Sequence, residues 1–390
     1  MRKITTFVCG AAMLVAAAPA GAADKVKVGV VTTLSGPGAP LGMDIRDAMQ
    51  LYVKRNGGKL GTLPAELLVS DDQLNAGVGL QAIEKLILRD RVDFITGVVF
   101  SAVLLPALPK ILDANIFYLS PNTGPKEYAG VKCHPGFFAV AWQNEDLSAA
   151  MGTFLNQKGI RSVYGIAPNY PGGLETLEGF KRTYKGKYQE MYTKLGQLDY
   201  GAELSNLRAA KPEAIFMFLP GGMGINFIKQ FVAAGLSSEI QLYVPGFSAD
   251  EDTIKPLQDV LLGTFNASQW AHDLDNGANR AFVKAFTEEY KRLPTMYAAQ
   301  GWDTIALIDS AVREVKGHTE DKKAVRRALE AAKFQSVRGS FKFNTNHYPI
   351  HDIYMRVVTK DAQGRITNRS VGTIVQKQSD PYASQCKMAP

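Results

Sequence analysis

The chain has 390 residues, of which 46% are hydrophobic and 21% charged, and it carries a formal net charge of +7. That length exceeds one ordinary core and suits two lobes. The basic excess is mild and spread out, with no basic cluster interleaved with aromatics, which excludes a nucleic-acid-binding role.

The chain opens on Arg2 and Lys3, continues through the uncharged apolar run Ile4–Ala18, and reaches the small-residue site Ala20-Gly21-Ala22. This is the pattern of a cleaved secretory signal peptide, residues 1–23. The apolar run falls short of the ~20 residues a membrane-spanning helix needs, and no later segment is long and apolar enough to span. Export is therefore expected. Losing Arg2 and Lys3 takes the formal charge from +7 to +5. Cys9 leaves with the leader. Cys133 and Cys386 remain, an even pair in an oxidising compartment, and are predicted to be bonded.

Val26–Val31 predicts a buried strand. It runs into the polar loop Thr32–Ser35, the cluster Gly36-Pro37-Gly38-Ala39-Pro40 and, past Gly42, a helix. Strand predictions at 66–70, 92–97 and 116–119 alternate with helix predictions at 76–90 and 104–114, which is the signature of a parallel sheet covered on both faces. Phe137–Ala141 breaks the rhythm. A second alternating series follows: helices at 146–158, 173–185, 202–210 and 225–234, and strands at 162–167, 188–192, 214–219, 241–244 and 263–269. Three consecutive helices, 278–292, 297–315 and 322–332, suit a return to the first lobe. Strand-like pieces at 340–343 and 352–358 suit the second. The fold expected is α/β, with two similar doubly wound parallel-sheet lobes joined by about three hinge crossovers near Ala141, Gln269 and Gly339. Lobe one takes residues 24–141 plus 270–339, and lobe two takes 142–269 plus 340–378. A tail, 379–390, is tied by Cys133–Cys386. Lobes joined in this way enclose a cleft that opens and closes on a hinge.

Three motifs that invite chemistry fail on their spacing. Gly36-Pro37-Gly38 with Gly42 reads G-x-G-x-x-x-G, one residue too long for a dinucleotide loop, and proline follows the first glycine. Gly246-Phe247-Ser248-Ala249-Asp250 begins like a nucleophile elbow but lacks the final glycine. His347 and His351 stand four apart with Pro349 between them, which breaks the helix that would put both on one face. No cofactor, metal or catalytic group is expected. The informative segments are loops after strands. Gly97–Ser101 and Ser120–Pro125 both present hydroxyls and backbone N–H groups at the carboxyl end of a sheet. Helix N-termini there are electropositive and hold a carboxylate without a basic side chain.

Several stretches together carry a family resemblance: VKVGVVTTLSGPGAPLGMDIRDAMQL, GVVFSAVLLPAL, FYLSPNTGP, LDYGAELSNLRAAKPEAIF and PTMYAAQGWDTIALI. The chain resembles the Leu/Ile/Val-type solute-binding proteins of bacterial ABC importers, with the type I periplasmic-binding-protein fold. CHPGFF…WQNED, IAPNYPGGLETLEGFKR and a terminal QCKM look like a branch that handles aromatic acids. The resemblance implies a small carboxylate trapped between closing lobes in the periplasm and delivered to a membrane permease by a monomeric protein. It implies carboxylate binding by Ser101 and by Thr123, which matches across a one-residue gap and shares the role with Asn122. It places Tyr170 on the second lobe and Trp142 at the cleft edge. Ser35 and Leu41, in the first loop, would approach the ligand. Phe100 is a secondary candidate.

One departure matters. Amino-acid binders of the family carry an acid just after the strand equivalent to Gln241–Val244, and this chain has Pro245-Gly246-Phe247-Ser248. A buried ammonium without a counter-charge is costly, whereas Phe247 offers an aromatic wall. Asp250 and Glu251 would have to swing in. A carboxylate with an aromatic or apolar body is favoured. The alternatives are a branched-chain or other amino acid, or a sensor that presents its ligand to a receptor.

Overall fold

The structure, a computed structural model, describes residues 24–388. The signal-peptide reading and Cys9 lie outside those residues. Two α/β lobes emerge, each built on its own sheet. The first sheet holds β1 (Val26–Thr32), β2 (Lys59–Leu60), β3 (Leu63–Asp71), β4 (Phe94–Thr96), β5 (Phe117–Ser120) and β6 (Phe137–Ala139), in the order β2-β3-β1-β4-β5-β6. All its pairings are parallel except the β2–β3 hairpin. The second sheet holds β7 (Ser162–Pro168), β8 (Lys187–Thr193), β9 (Ala214–Met217), β10 (Gln241–Pro245), β11 (Phe265–Ser268), β12 (Lys342–Phe343), β13 (Pro349–Lys360) and β14 (Ile366–Gln378). Its order is β12-β13-β11-β10-β9-β7-β8, with β14 paired to β13. The five strands from β8 to β11 are parallel, and β13 turns antiparallel.

The central strands are buried on both faces, as their unbroken apolar runs require: β1, β4, β5 and β9 are almost wholly inaccessible. Phe137–Ala139 does not interrupt the first lobe, as expected, but forms its sixth strand, pairing with Tyr118–Ser120. Three residues are too few to show a period. β14 went unanticipated for a different reason. It is a long edge strand whose residues are mostly exposed or half-buried, so polar side chains hide its alternation.

The glycine cluster after β1 now has a packing explanation. Gly36 sits at φ +70°, and a short 3-10 turn, Gly36–Gly38, leads into a helix at Ala39–Arg55, earlier than the expected start past Gly42. A Cβ on Gly42 would lie 2.0 Å from the Thr33 carbonyl oxygen. This glycine lets the helix press on the end of β1.

Helices Gly277–Tyr290, Met296–Glu314 and Lys322–Ala331 follow β11, and Met296–Glu314 packs along Ala39–Arg55 of the first lobe. Where the chain passes between the sheets, buried Arg338 ties the passages together. Its guanidinium donates to the carbonyls of Val140 (2.7 Å) and Ala141 (2.9 Å) and pairs with Asp303 (3.1 Å). The carboxylate of Asp303 also accepts from Ser336 and from the Val337 backbone. Cys133, on the loop before β6, is bonded to Cys386, beyond β14. Along that tail, Tyr382 donates to Glu145 at 2.6 Å.

Candidate functional site

A small cavity lies between the lobes, at the carboxyl ends of both sheets; the non-atom space within its lining, open solvent included, is about 370 Å3. Its floor is built by two helix starts that face each other. Ser101 opens the helix Ser101–Asp113, directly after the loop that follows β4. Gly172 lies in the first turn of Pro171–Thr183, directly after β7. The backbone N–H of Gly172 donates to Ser101 Oγ across the lobe boundary at 2.7 Å. The first N–H groups of a helix lack intrahelical partners and carry partial positive charge. Two such ends on one point make an anion site without a lysine or arginine. The Ser101 hydroxyl, used here as an acceptor, keeps its own proton to donate.

The loop after β5 supplies the adjoining wall. Ser120 Oγ donates to the Thr123 carbonyl at 2.6 Å and lies 3.1 Å from Thr123 Oγ1, which fixes the turn. Gly124 docks on Trp142, where a Cβ would meet the Trp142 carbonyl at 1.9 Å. Asn144 holds Gly124 N–H with its carbonyl oxygen (2.7 Å) and passes its own N–H to Glu175 (2.8 Å). Burial pushes Glu175 up to about 7, opposed by its bonds to Asn144 and to the Lys126 backbone.

Much of the remaining wall is aromatic. Trp142 and Phe247 meet edge to face at 4.7 Å, Phe218 packs edge-on to Phe247 at 5.3 Å, and Phe100 and Tyr170 meet at 6.0 Å. Burial pushes the phenols of Tyr170 and Tyr297 upward. No cavity-lining residue is charged.

Of the residues singled out from sequence, Leu41, Phe100, Ser101, Asn122, Thr123, Trp142, Tyr170 and Phe247 come together in this wall. Ser35 does not. It is exposed, and Asp71 holds the turn back by accepting the Leu34 backbone N–H at 2.8 Å. Nor do the two acids after Phe247 swing in. Buried Asp250 pairs with Arg356 (3.2 Å) and accepts the Met296 N–H, while Glu251 accepts from Thr367 and the Asn368 backbone. The histidines part company as well. His347 stacks on Phe138 and bonds Glu330, whereas His351 lies 3.4 Å from Asp146. Ser248 Oγ caps the end of the β9 segment by accepting Leu219 N–H.

Sequence reasoning missed Phe218 and Pro220, which follow β9 and read as the tail of an apolar run. It also missed Tyr297, just inside the helix Met296–Glu314, and Asn144, Gly172 and Thr176.

The sequence profile of the family described as periplasmic binding protein matches residues 25–363. A Leu/Ile/Val-binding protein homolog from Brucella melitensis is 25% identical over 378 residues, covering 94% of this chain and 95% of its own. Two solved structures are similar. One is an ABC-transporter solute-binding protein from Rhodopseudomonas palustris in complex with benzoate, with TM-score 0.87 and 29% identity over 93% of this chain and 100% of that one. The other is a solute-binding protein from Rhodopseudomonas palustris BisB5 in complex with 3,4-dihydroxybenzoic acid, with TM-score 0.84 and 27% identity over 92% and 99%.

Proposed function

This chain belongs to the periplasmic binding protein family, whose members bind solutes for ABC transporters rather than forming an enzyme class, and on that premise we propose that it captures a small aromatic carboxylate for an ABC importer. The ligand sits between the lobes, and the closed protein, a monomer, presents it to the membrane permease without altering it chemically. Among the described residues no helix is long and apolar enough to cross a membrane, so the importer's channel belongs to a partner. Export through the leader at residues 1–23 is part of this reading.

One observation carries the proposal. The cavity joins two facing helix N-termini and hydroxyls to aromatic rings, and among the described residues that line it none is charged. A carboxylate is stabilised by the former and an apolar ring by the latter. Ligand contact with both lobes favours the closed state over the open one by the difference in its affinity for the two. The benzoate and dihydroxybenzoate found in the two similar structures support the same ligand class. The proposed carboxylate contacts are Ser101 and Thr123, and the proposed body contacts are Trp142, Tyr170, Phe218 and Phe247.

The second reading, a branched-chain amino acid, draws on the Leu/Ile/Val-binding homolog. It leaves the ligand's ammonium without a carboxylate, since Asp250 and Glu251 are occupied elsewhere. A thermal-shift screen against aromatic acids, aliphatic acids and branched-chain amino acids separates the two, because a specific ligand raises the melting temperature by mass action. Aromatic acids are expected to give the shift. A shift with leucine or valine alone would refute the proposal.

A further inference from the structure

Asn122 stands among the carboxylate-facing residues, yet one of its atoms has the wrong polarity for that task. Its Nδ2 donates to the Val99 carbonyl at 2.6 Å, which fixes the orientation of the amide. Oδ1 is left buried, and among the described residues it has no hydrogen-bond partner. Both Val99 and Asn122 line the cavity. A carboxylate offers only acceptors and cannot satisfy this oxygen. An unmet buried acceptor is costly, so a donor is called for at this point in the bound state.

Two donors are common beside a carboxylate, an ammonium and a hydroxyl. An ammonium buried here would meet a neutral oxygen and no acid, which leaves its charge uncompensated. A hydroxyl meets its full requirement with one acceptor. The position of the donor follows from the chain. Asn122 immediately precedes Thr123, and its amide is tied to Val99, two residues before Ser101. The acceptor therefore sits beside the proposed carboxylate contacts, Ser101 and Thr123.

Resting on the reading that this cavity takes an aromatic carboxylate, we propose that its ligand is a 2-hydroxy aryl acid, with the hydroxyl on the carbon next to the carboxylate donating to Asn122 Oδ1. This makes Asn122 a specificity-determining residue and removes it from the carboxylate-binding role it shared with Thr123.

The test is isothermal titration of the protein with mandelate, phenylacetate and benzoylformate, which share a phenyl ring and a carboxylate and differ only at the intervening carbon. Mandelate is expected to bind about threefold to tenfold more tightly than phenylacetate, the worth of one hydrogen bond. Benzoylformate, which turns an acceptor toward Asn122 Oδ1, is expected to bind most weakly. Asn122→Leu is expected to erase the gap between mandelate and phenylacetate while leaving phenylacetate bound. Should that variant fail to fold, the order among the three ligands on the unaltered protein decides alone. Equal binding of mandelate and phenylacetate, or benzoylformate as tight as mandelate, overturns the inference. Benzoate is the control: if it binds while the hydroxyl gap is missing, only this inference falls, and if no aromatic acid binds, the aromatic-acid reading falls with it.

Discussion

On the cavity side, the two lobes touch through separate bonds. The buried Gly172 N–H meets Ser101, the Lys126 backbone N–H meets Glu175 at 3.2 Å, and the Lys126 ammonium meets Glu178 with both side chains about half exposed. On the hinge side, the contacts are buried and many-armed. Arg338 holds two carbonyls of the first crossover and Asp303 at once. Exposed ion pairs contribute about 0–1 kcal/mol, whereas breaking a buried pair costs several times more. The boundary between the lobes is thus uneven: one side is held by separate bonds, the other by a buried arginine with several partners. Changes on the hinge side should alter stability, and changes on the cavity side should alter affinity.

The largest expected effect is at Asp303. Asp303→Asn leaves the Arg338 guanidinium buried without a counter-charge and should lower unfolding free energy by about 3–5 kcal/mol in urea titration. A smaller loss would mean that water reaches the hinge. Next, replacing both Cys133 and Cys386 with serine should cost about 2–4 kcal/mol, read as a lower denaturation midpoint. Ser101→Ala should weaken aromatic-acid binding by about 1–3 kcal/mol with the ligand-free melting temperature almost unchanged. A large stability loss from this variant would erase the distinction between the two sides.

The smallest effect concerns Glu175, which burial raises to about 7 from an ordinary 4.5. A carboxyl with a folded pKa above its unfolded one binds its proton more readily when folded. Its unfavourable contribution is absent below about 4.5 and grows as pH rises toward about 7. Glu175→Gln should therefore narrow the difference in melting temperature between pH 5 and pH 8. An unchanged difference would mean that the seam beside Asn144 admits water.

Sequence and structure agree best where one physical signal dominates. Continuous apolar runs marked the parallel strands, and loops after strands marked Ser101 and Thr123. The family resemblance added Tyr170, at a helix start that no period reveals, and Trp142. The failures share a cause. Phe218 looks like core because the cavity wall is as apolar as the core behind it, and both are buried. Ser35 looks like a binding residue because it precedes Gly36, but the bond from Asp71, distant in sequence, decides where that turn points. Gly172 carries no side chain to notice, and its role comes from a backbone N–H aimed across the lobe boundary. Asn122 was legible as a polar residue near the proposed carboxylate site, though not as an acceptor, because its bond to Val99 is a property of the folded loop.

Cys133 and Cys386 stand 253 positions apart, so their bond makes a ring that contains the whole second sheet and the three helices that follow β11. Tension applied outside the ring, at Val26 and Lys387, runs through the sulfur–sulfur bond and bypasses everything inside it. Strands β1 to β5 bear the load, while the second sheet bears none. A machine that unravels the chain from its amino side would draw out the first lobe only as far as Cys133 and then face the closed loop, whereas one pulling from the carboxyl side meets that loop at Cys386.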